Sequence, residues 1–307
     1  MPGVSFGDLR SLAQKPPSKP VWATLCAMIE SWPDPDERDA LASPYVLDLL
    51  DRTWPDALRV VPGRWVYERA SARPHYLRWG RTLQLTARDL RLVGSGHAAW
   101  PEHDFPWDAI TRVRVQMGDL GPSALAPLTG PVFDRLTSLA FTSDVPGALE
   151  VLESMNRRGA LTGLEELELA TPGVRVEVAN LVLEHADLPR LRALRLTRSG
   201  PKHATTSTLD GNALAHRVGE SAVAPRLTTL ALRFLKLGDI GARALARAPL
   251  HALEHLDLCG NALSPDGLDL LHASRWGQRG VPIDVRGCPA LDPDVDLLTR
   301  VTLLDPT

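Results

Sequence analysis

The chain has 307 residues, 44% of them apolar, with 34 basic against 37 acidic residues and a formal net charge of −3. That length allows two domains of about 150 residues or one elongated array, and the apolar share excludes wholesale disorder. The near balance of charge removes any global attraction to nucleic acid or to an anionic membrane.

Only four of the 34 basic residues are lysines (Lys15, Lys19, Lys202, Lys236). Such arginine-dominated usage points to a GC-rich, bacterial genome. Three cysteines (Cys26, Cys259, Cys288) with no CxxC spacing make neither a disulfide framework nor a zinc site, and suit a reducing, cytoplasmic setting. The longest apolar run, Val21 to Ile29, falls short of the roughly 18–20 residues that span a bilayer. It lacks a small-residue cleavage site and reads as a short buried helix containing an inert Cys26.

Seven of the eight tryptophans (Trp22, Trp32, Trp54, Trp65, Trp79, Trp100, Trp107) lie in the first 107 residues. Short helices are predicted over 21–31, 36–42, 45–52 and 55–60, where apolar residues recur every three or four positions. Pro33, Pro35, Pro44, Pro55 and Pro62 punctuate them. Thr82 to Val93 reads as a hairpin, with Leu83 and Leu85 alternating before Ala87-Arg88-Asp89 and Leu90 and Leu92 after it. Residues 94–107 form a connection rich in Gly, Pro and Trp.

From Ile110 the chain repeats. The clearest copies are LTTLALRFLKL from Leu227 and LEHLDLCGNAL from Leu253, and earlier ones start at Ile110, Leu136, Leu164 and Leu191. The intervals are 26, 28, 27, 36 and 26 residues. Ile283, Val285 and Cys288 follow Leu256, Leu258 and Asn261 by 27 residues. Alternating leucines place one strand face inward. No single unit can bury its leucines, so neighbours must stack and their strands must form a parallel ladder. Asn261 is placed to bond backbone where the chain leaves the strand, with Leu235 and Cys288 as its counterparts. Ser264-Pro265-Asp266 and Asp144 begin helices as N-caps. Gly267 and Leu271, and one repeat earlier Gly241 and Leu245, take helix positions.

The LxxLxLxxNxL pattern, with strand and helix alternating every 26–28 residues, resembles the ribonuclease-inhibitor-like subclass of leucine-rich-repeat proteins. The resemblance covers about residues 108–291. It implies an α/β solenoid, a parallel strand ladder with outer helices, behind an N-terminal, mostly helical, Trp-rich capping region. The predicted domains are therefore 1–107 (helical and hairpin cap), 108–291 (solenoid) and 292–307. The last is a capping helix with Val295, Leu298 and Val301 on one face. Trp54-Pro55-Asp56-Ala57-Leu58-Arg59 with Pro62 and Trp65 is similar to the leader regions of some myxobacterial leucine-rich-repeat proteins. Residues 198–213 account for the long interval and should leave the array as a polar loop.

No catalytic arrangement stands up. Gly3-Val4-Ser5-Phe6-Gly7 matches GxSxG but has no strand before it. In Gly94-Ser95-Gly96-His97-Ala98-Ala99, Pro101 stops any helix that could meet a pyrophosphate. His97, Glu102, His103, Asp104 and Asp108 are the densest cluster of potential ligands but fit no metal spacing. The chain is read as non-enzymatic, with no cofactor, metal or small-molecule substrate.

The expected functional surface is the concave strand face. Between its leucines stand Arg112, Arg114 and Gln116, then Glu166 and Glu168, Arg195, Arg233, His255, Asp257, Asp284 and Arg286. Cys259 lies on the same face. Glu168 and Arg195 are expected to pair across strands. Mixed charge without stacking aromatics excludes a nucleic-acid reader and suits a protein partner held in register. The expectation is a scaffold or recognition subunit. The alternative, by analogy with the family, is a regulatory subunit that inhibits or activates an enzyme such as a protease or small GTPase.

Overall fold

A strand whose alternate residues are leucine buries one face only, and it needs a helix from its own repeat to cover that face. The computed structural model shows this solution repeated. It describes residues 5–68, 79–97, 107–116, 128, 133–142, 148–171, 176–185, 187–198 and 210–291. The predicted capping helix over 292–307 and the Asp144 cap lie outside them. The chain divides into two compact units, residues 1–116 and 117–307.

The first unit opens with helices Phe6–Ala13 and Lys19–Glu30, capped by Ser5 and Ser18. The next helical stretch departs from expectation. Pro44 does not break it: a π-turn, Arg38–Ala42, runs straight into the helix Ser43–Thr53. A wider turn accommodates a residue that lacks an N–H, so the proline sits at the start of the helix instead of ending one. The predicted helix at 55–60 is a single 3-10 turn, Asp56–Leu58, followed by strand β1, Val60–Pro62.

The hairpin expectation at 82–93 is also corrected. Thr82–Thr86 is β2, but Ala87–Gly94 is a helix. Thr86 and Asp89 form a capping box: the threonine oxygen accepts from the Asp89 N–H, and the Asp89 carboxylate accepts from the Thr86 N–H at 2.8 Å. Ala87-Arg88-Asp89 is therefore a first helical turn. With β3, Arg112–Gln116, these strands form a parallel ladder in which Val61 faces Leu83 and Leu83 faces Val113. Strand-and-helix units thus begin some 50 residues before Ile110.

Tryptophans tie this unit together. The Trp22 indole N–H donates to the Val60 carbonyl at 2.8 Å, and the Trp79 indole donates to Ser43 Oγ at 3.2 Å. Arg59, only 1% exposed, donates to the Trp79 carbonyl and to Asp51, both at 2.6 Å. Burial pulls its guanidinium below the ordinary arginine range, and Asp51 opposes that pull.

The second unit carries β4 (Ser138–Thr142), β5 (Glu166–Thr171), β6 (Ala193–Arg198), β7 (Thr229–Arg233), β8 (His255–Asp257) and β9 (Ile283–Asp284). All pair in parallel, in chain order. The register matches the predicted repeat: Leu139, Leu167, Leu194, Leu230 and Leu256 stand side by side, and each is at most 2% exposed. Helices Ala148–Arg157, Gly211–Glu220, Asp239–Arg247 and Pro265–His272 bury Leu152, Leu214, Leu245 and Leu271. Of the predicted polar insertion over 198–213, Arg198 ends β6 and Gly211 already opens a helix, and residues 199–209 lie outside the described residues. Among the described residues no helix is long and apolar enough to cross a membrane.

Side chains at the strand exits connect successive repeats. Asn261 is 2% exposed. Its Oδ1 accepts from the Leu235 and Leu237 N–H groups at 2.9 and 3.1 Å. Its Nδ2 donates to the Leu232 and Leu258 carbonyls at 2.6 and 2.8 Å. Cys288 occupies the next counterpart position, with Sγ 3.5 Å from the Leu258 carbonyl. Asn212 Oδ1 accepts from Gly238 and Gly241, both at 2.9 Å. Gly241 and Gly267 follow from such contacts. A β-carbon at Gly241 would lie 2.8 Å from Asn212 Oδ1, and one at Gly267 would lie 2.1 Å from Asp239 Oδ1. Replacing Asn261 by Ala removes its hydrogen bond from each of four backbone groups and is expected to cost about 3 kcal/mol. Urea titration of the Asn261→Ala chain against the unaltered one measures it.

Candidate functional site

The predicted binding residues fall in both units. Arg112, Arg114 and Gln116 belong to the first, where Gln116 is exposed and accepts from the Gln84 side chain at 2.9 Å. The remaining eight belong to the second; seven stand in cross-strand lanes, and Arg286 lies in the turn after β9. Ala140, Glu168, Arg195, Ala231, Asp257 and Asp284 form one lane, and Thr142, Ala170, Thr197 and Arg233 form the next.

Glu168 and Arg195 are register partners, as expected, but the ion pair forms diagonally. Arg195 Nη1 lies 3.7 Å from Glu166 Oε2, which also accepts from Ser138 Oγ at 3.3 Å. Both side chains are about one-third exposed, so the pair contributes little to stability.

The strongest arrangement on this face is at β7–β9. Arg233 Nε donates to Asp257 Oδ2 at 2.6 Å, and its Nη2 meets the same oxygen. The alternation places Asp257 on the open face, but its side chain is only 2% exposed, and its other oxygen accepts from the Cys259 N–H at 3.1 Å. Burial pulls the Arg233 guanidinium down, but the hydrogen bond and charge of Asp257 outweigh it and hold Arg233 above its ordinary value. Beside this pair, Arg286 grips Asp284 through Nε at 2.9 and 3.0 Å and through Nη2 at 2.5 Å. The Arg286 hydrogen bond, partly offset by burial, holds the Asp284 carboxyl well below the usual carboxylate range. His255 remains exposed.

Sequence reasoning missed that Asp257, Cys259 and Asp284 converge. One ligand atom from each lies within 4.8 Å of the others. The signal was available as an Asp-x-Cys pair followed by an aspartate 27 residues after Asp257. Both carboxylates, however, are already neutralised by Arg233 and Arg286. Burial, reinforced by hydrogen bonds to the two acids, pushes the Cys259 thiol far up and keeps it protonated. The trio is chemically a charge-compensated cluster, in which a cation must displace two guanidinium groups. In the ligand cluster between His97 and Asp108, Glu102, His103 and Asp104 lie outside the described residues. His97 is exposed, with Nδ1 2.8 Å from Ser95 Oγ, and Asp108 is exposed. Cys26 is 3% exposed, and burial pushes its thiol up.

No protein-family model matches the chain, and no curated protein matches its sequence. A solved structure of a Bacteroides fragilis protein from a structural-genomics programme is similar over 84% of this chain and 84% of its own. The identity is 14% and the TM-score 0.41, a likeness too distant to carry an argument.

Two outcomes test the β7–β9 cluster. Arg233→Ala leaves Asp257 buried without its counter-charge. With Arg233 itself about one-third exposed, the expected loss is about 2 kcal/mol in urea unfolding, and Arg233→Met with Asp257→Leu recovers at least half of it. The depressed Asp284 carboxyl stabilises the fold above the ordinary aspartate value of about 3.9. That stabilisation is lost as pH falls through the lower folded-state value. Urea midpoints measured from pH 7 to pH 2 should therefore drop below about pH 4, less steeply in Asp284→Asn.

Proposed function

We propose that the chain is a leucine-rich-repeat solenoid of the ribonuclease-inhibitor-like kind. In this reading it carries a Trp-rich N-terminal region and is a non-enzymatic recognition subunit that binds a protein partner through its concave strand face. The supporting observation is the set of in-register lanes in the second unit, where Glu168, Arg195 and Arg233 occupy fixed steps on neighbouring strands. Strands about 4.8 Å apart set six strands over roughly 24 Å, the scale of one side of an ordinary protein interface. Recognition by such a surface rests on rigid spacing, not on a moving part. The small residues Ala193 and Ala231 share the lanes with the charged ones and are buried beneath them.

The test begins by isolating the bound protein from the native host and titrating it against the purified chain. Glu168→Lys and Arg195→Glu together are expected to weaken that affinity at least tenfold, mostly through faster dissociation. Undiminished affinity in the double variant rejects the concave-face reading.

A further inference from the structure

The edge of the second unit where the chain enters its strands differs from the open face, because its cations are not paired with carboxylates. The residue before each repeat's first position is Arg135, Gly163, Arg190, Arg226, Ala252 or Arg279, so four of these six positions hold an exposed arginine. Two of the arginines act within the fold. Arg226 donates to the Leu188 carbonyl at 3.3 Å. Arg279 donates to the carbonyls of Leu250 and Leu253 at 3.4 and 3.1 Å and to that of His251. Leu188 and Leu250 are equivalent positions of the preceding repeats, so one clamp recurs. Carbonyl acceptors leave the guanidinium charge uncompensated.

Two adjoining hollows open along this edge. One, of about 530 Å³, is lined by Arg190, Arg192 and Arg226 between Pro189 and Pro225, with Glu165 as its one carboxylate. The other, of about 490 Å³, is lined by Arg247, Arg275, Arg279 and His251 and by no carboxylate. They meet at the turn where His251 lines one and Ala252 lines the other. Arg190, Arg192, Arg247 and Arg275 are exposed, and none enters an ion pair with another described residue. Arg247 lies in the last turn of the helix Asp239–Arg247, where a cation complements the helix end. That reason does not extend to Arg190, Arg192 or Arg275, which lie outside helices.

We propose that this edge is a second binding surface, for an acidic peptide segment of a protein in extended conformation. Guanidinium forks favour carboxylates presented in a row. From β6 to β9 the entering turns cover about 14 Å, the length of four or five extended residues. A single-stranded nucleic acid needs exposed rings for its bases. The tryptophan at the second hollow, Trp276, is 2% exposed, with its indole N–H on the Leu245 carbonyl. The surface is distinct from the open strand face, so either reading can fail without the other.

Fluorescence anisotropy with the full chain tests it, using a labelled hexaglutamate peptide, its hexaglutamine counterpart and labelled hexathymidylate. Hexaglutamate is expected to bind at low ionic strength and to weaken with added salt, and hexaglutamine not to bind. Arg190→Glu with Arg192→Glu, and Arg247→Glu with Arg275→Glu, are each expected to weaken hexaglutamate binding about fivefold. Arg10→Glu with Arg88→Glu, an equal change of charge on exposed residues of the first unit, should leave it within twofold. Circular dichroism checks folding. If a charge reversal unfolds the chain, the corresponding glutamine pair replaces it, with about threefold weakening expected. The proposal is overturned if hexaglutamate fails to bind or if hexaglutamine binds equally well. It is also overturned if folded edge variants bind unchanged or if hexathymidylate binds at least as tightly.

Discussion

Every repeat in this protein must turn out of a strand within a few residues, and that turn leaves backbone donors and acceptors facing a dry interior. The structure depends on supplying their partners from the adjoining repeat. Asn261 does so most fully, serving two N–H groups and one carbonyl of the preceding repeat and one carbonyl of its own. Asn212, Asp239, Arg226 and Arg279 do smaller versions of the same work at other points. Leucine burial drives the units together without specifying a register. These polar contacts reward one register, because a slipped neighbour leaves buried groups unsatisfied.

The same constraint explains a local irregularity. Phe234 has a positive φ of 57°, unusual for a bulky residue. Its counterpart one repeat later is Gly260, at φ 69°. Both positions take a left-handed conformation where the chain leaves its strand, and glycine meets that requirement without strain. Gly260 has a second reason to lack a side chain, since a β-carbon there would lie 2.1 Å from Cδ1 of Phe234. One repeat tolerates the aromatic because the next makes room for it.

Periodicity made the strands of the second unit legible, since LxxLxL states both the element and its buried face. In the first unit it found β3 from Ile110 and the strand at Leu83 and Leu85, but it missed β1 and the helix after β2, where the leucine signature is lacking. Val60–Pro62 offers one buried valine, and Thr82–Thr86 is preceded by buried Trp79 and not by a leucine three residues before Leu83. The misread helix after β2 had a local signal that outweighed alternation: a Thr-x-x-Asp capping box beginning at Thr86. Pro44 was misread for the opposite reason, because a breaker inside a helix is harmless where a π-turn has already removed the need for its N–H.

For the open face, the repeat predicted position but not pairing. A 27-residue spacing places Glu168 beside Arg195 on the backbone, yet a flexible guanidinium selects among several carboxylates within reach, and here it meets Glu166. Asp257 shows how far this goes. The alternation puts it on the open face, but Arg233 and the Cys259 N–H satisfy it so completely that almost none of its surface remains exposed. A surface whose opposite charges already satisfy one another offers a partner shape and spacing more than net attraction, because docking onto a compensated pair gains little Coulomb energy while still desolvating it. Unpaired charge attracts at longer range. The division of paired charges on the strand face from unpaired arginines on the entering edge therefore separates, within one unit, a surface suited to register from one suited to capture.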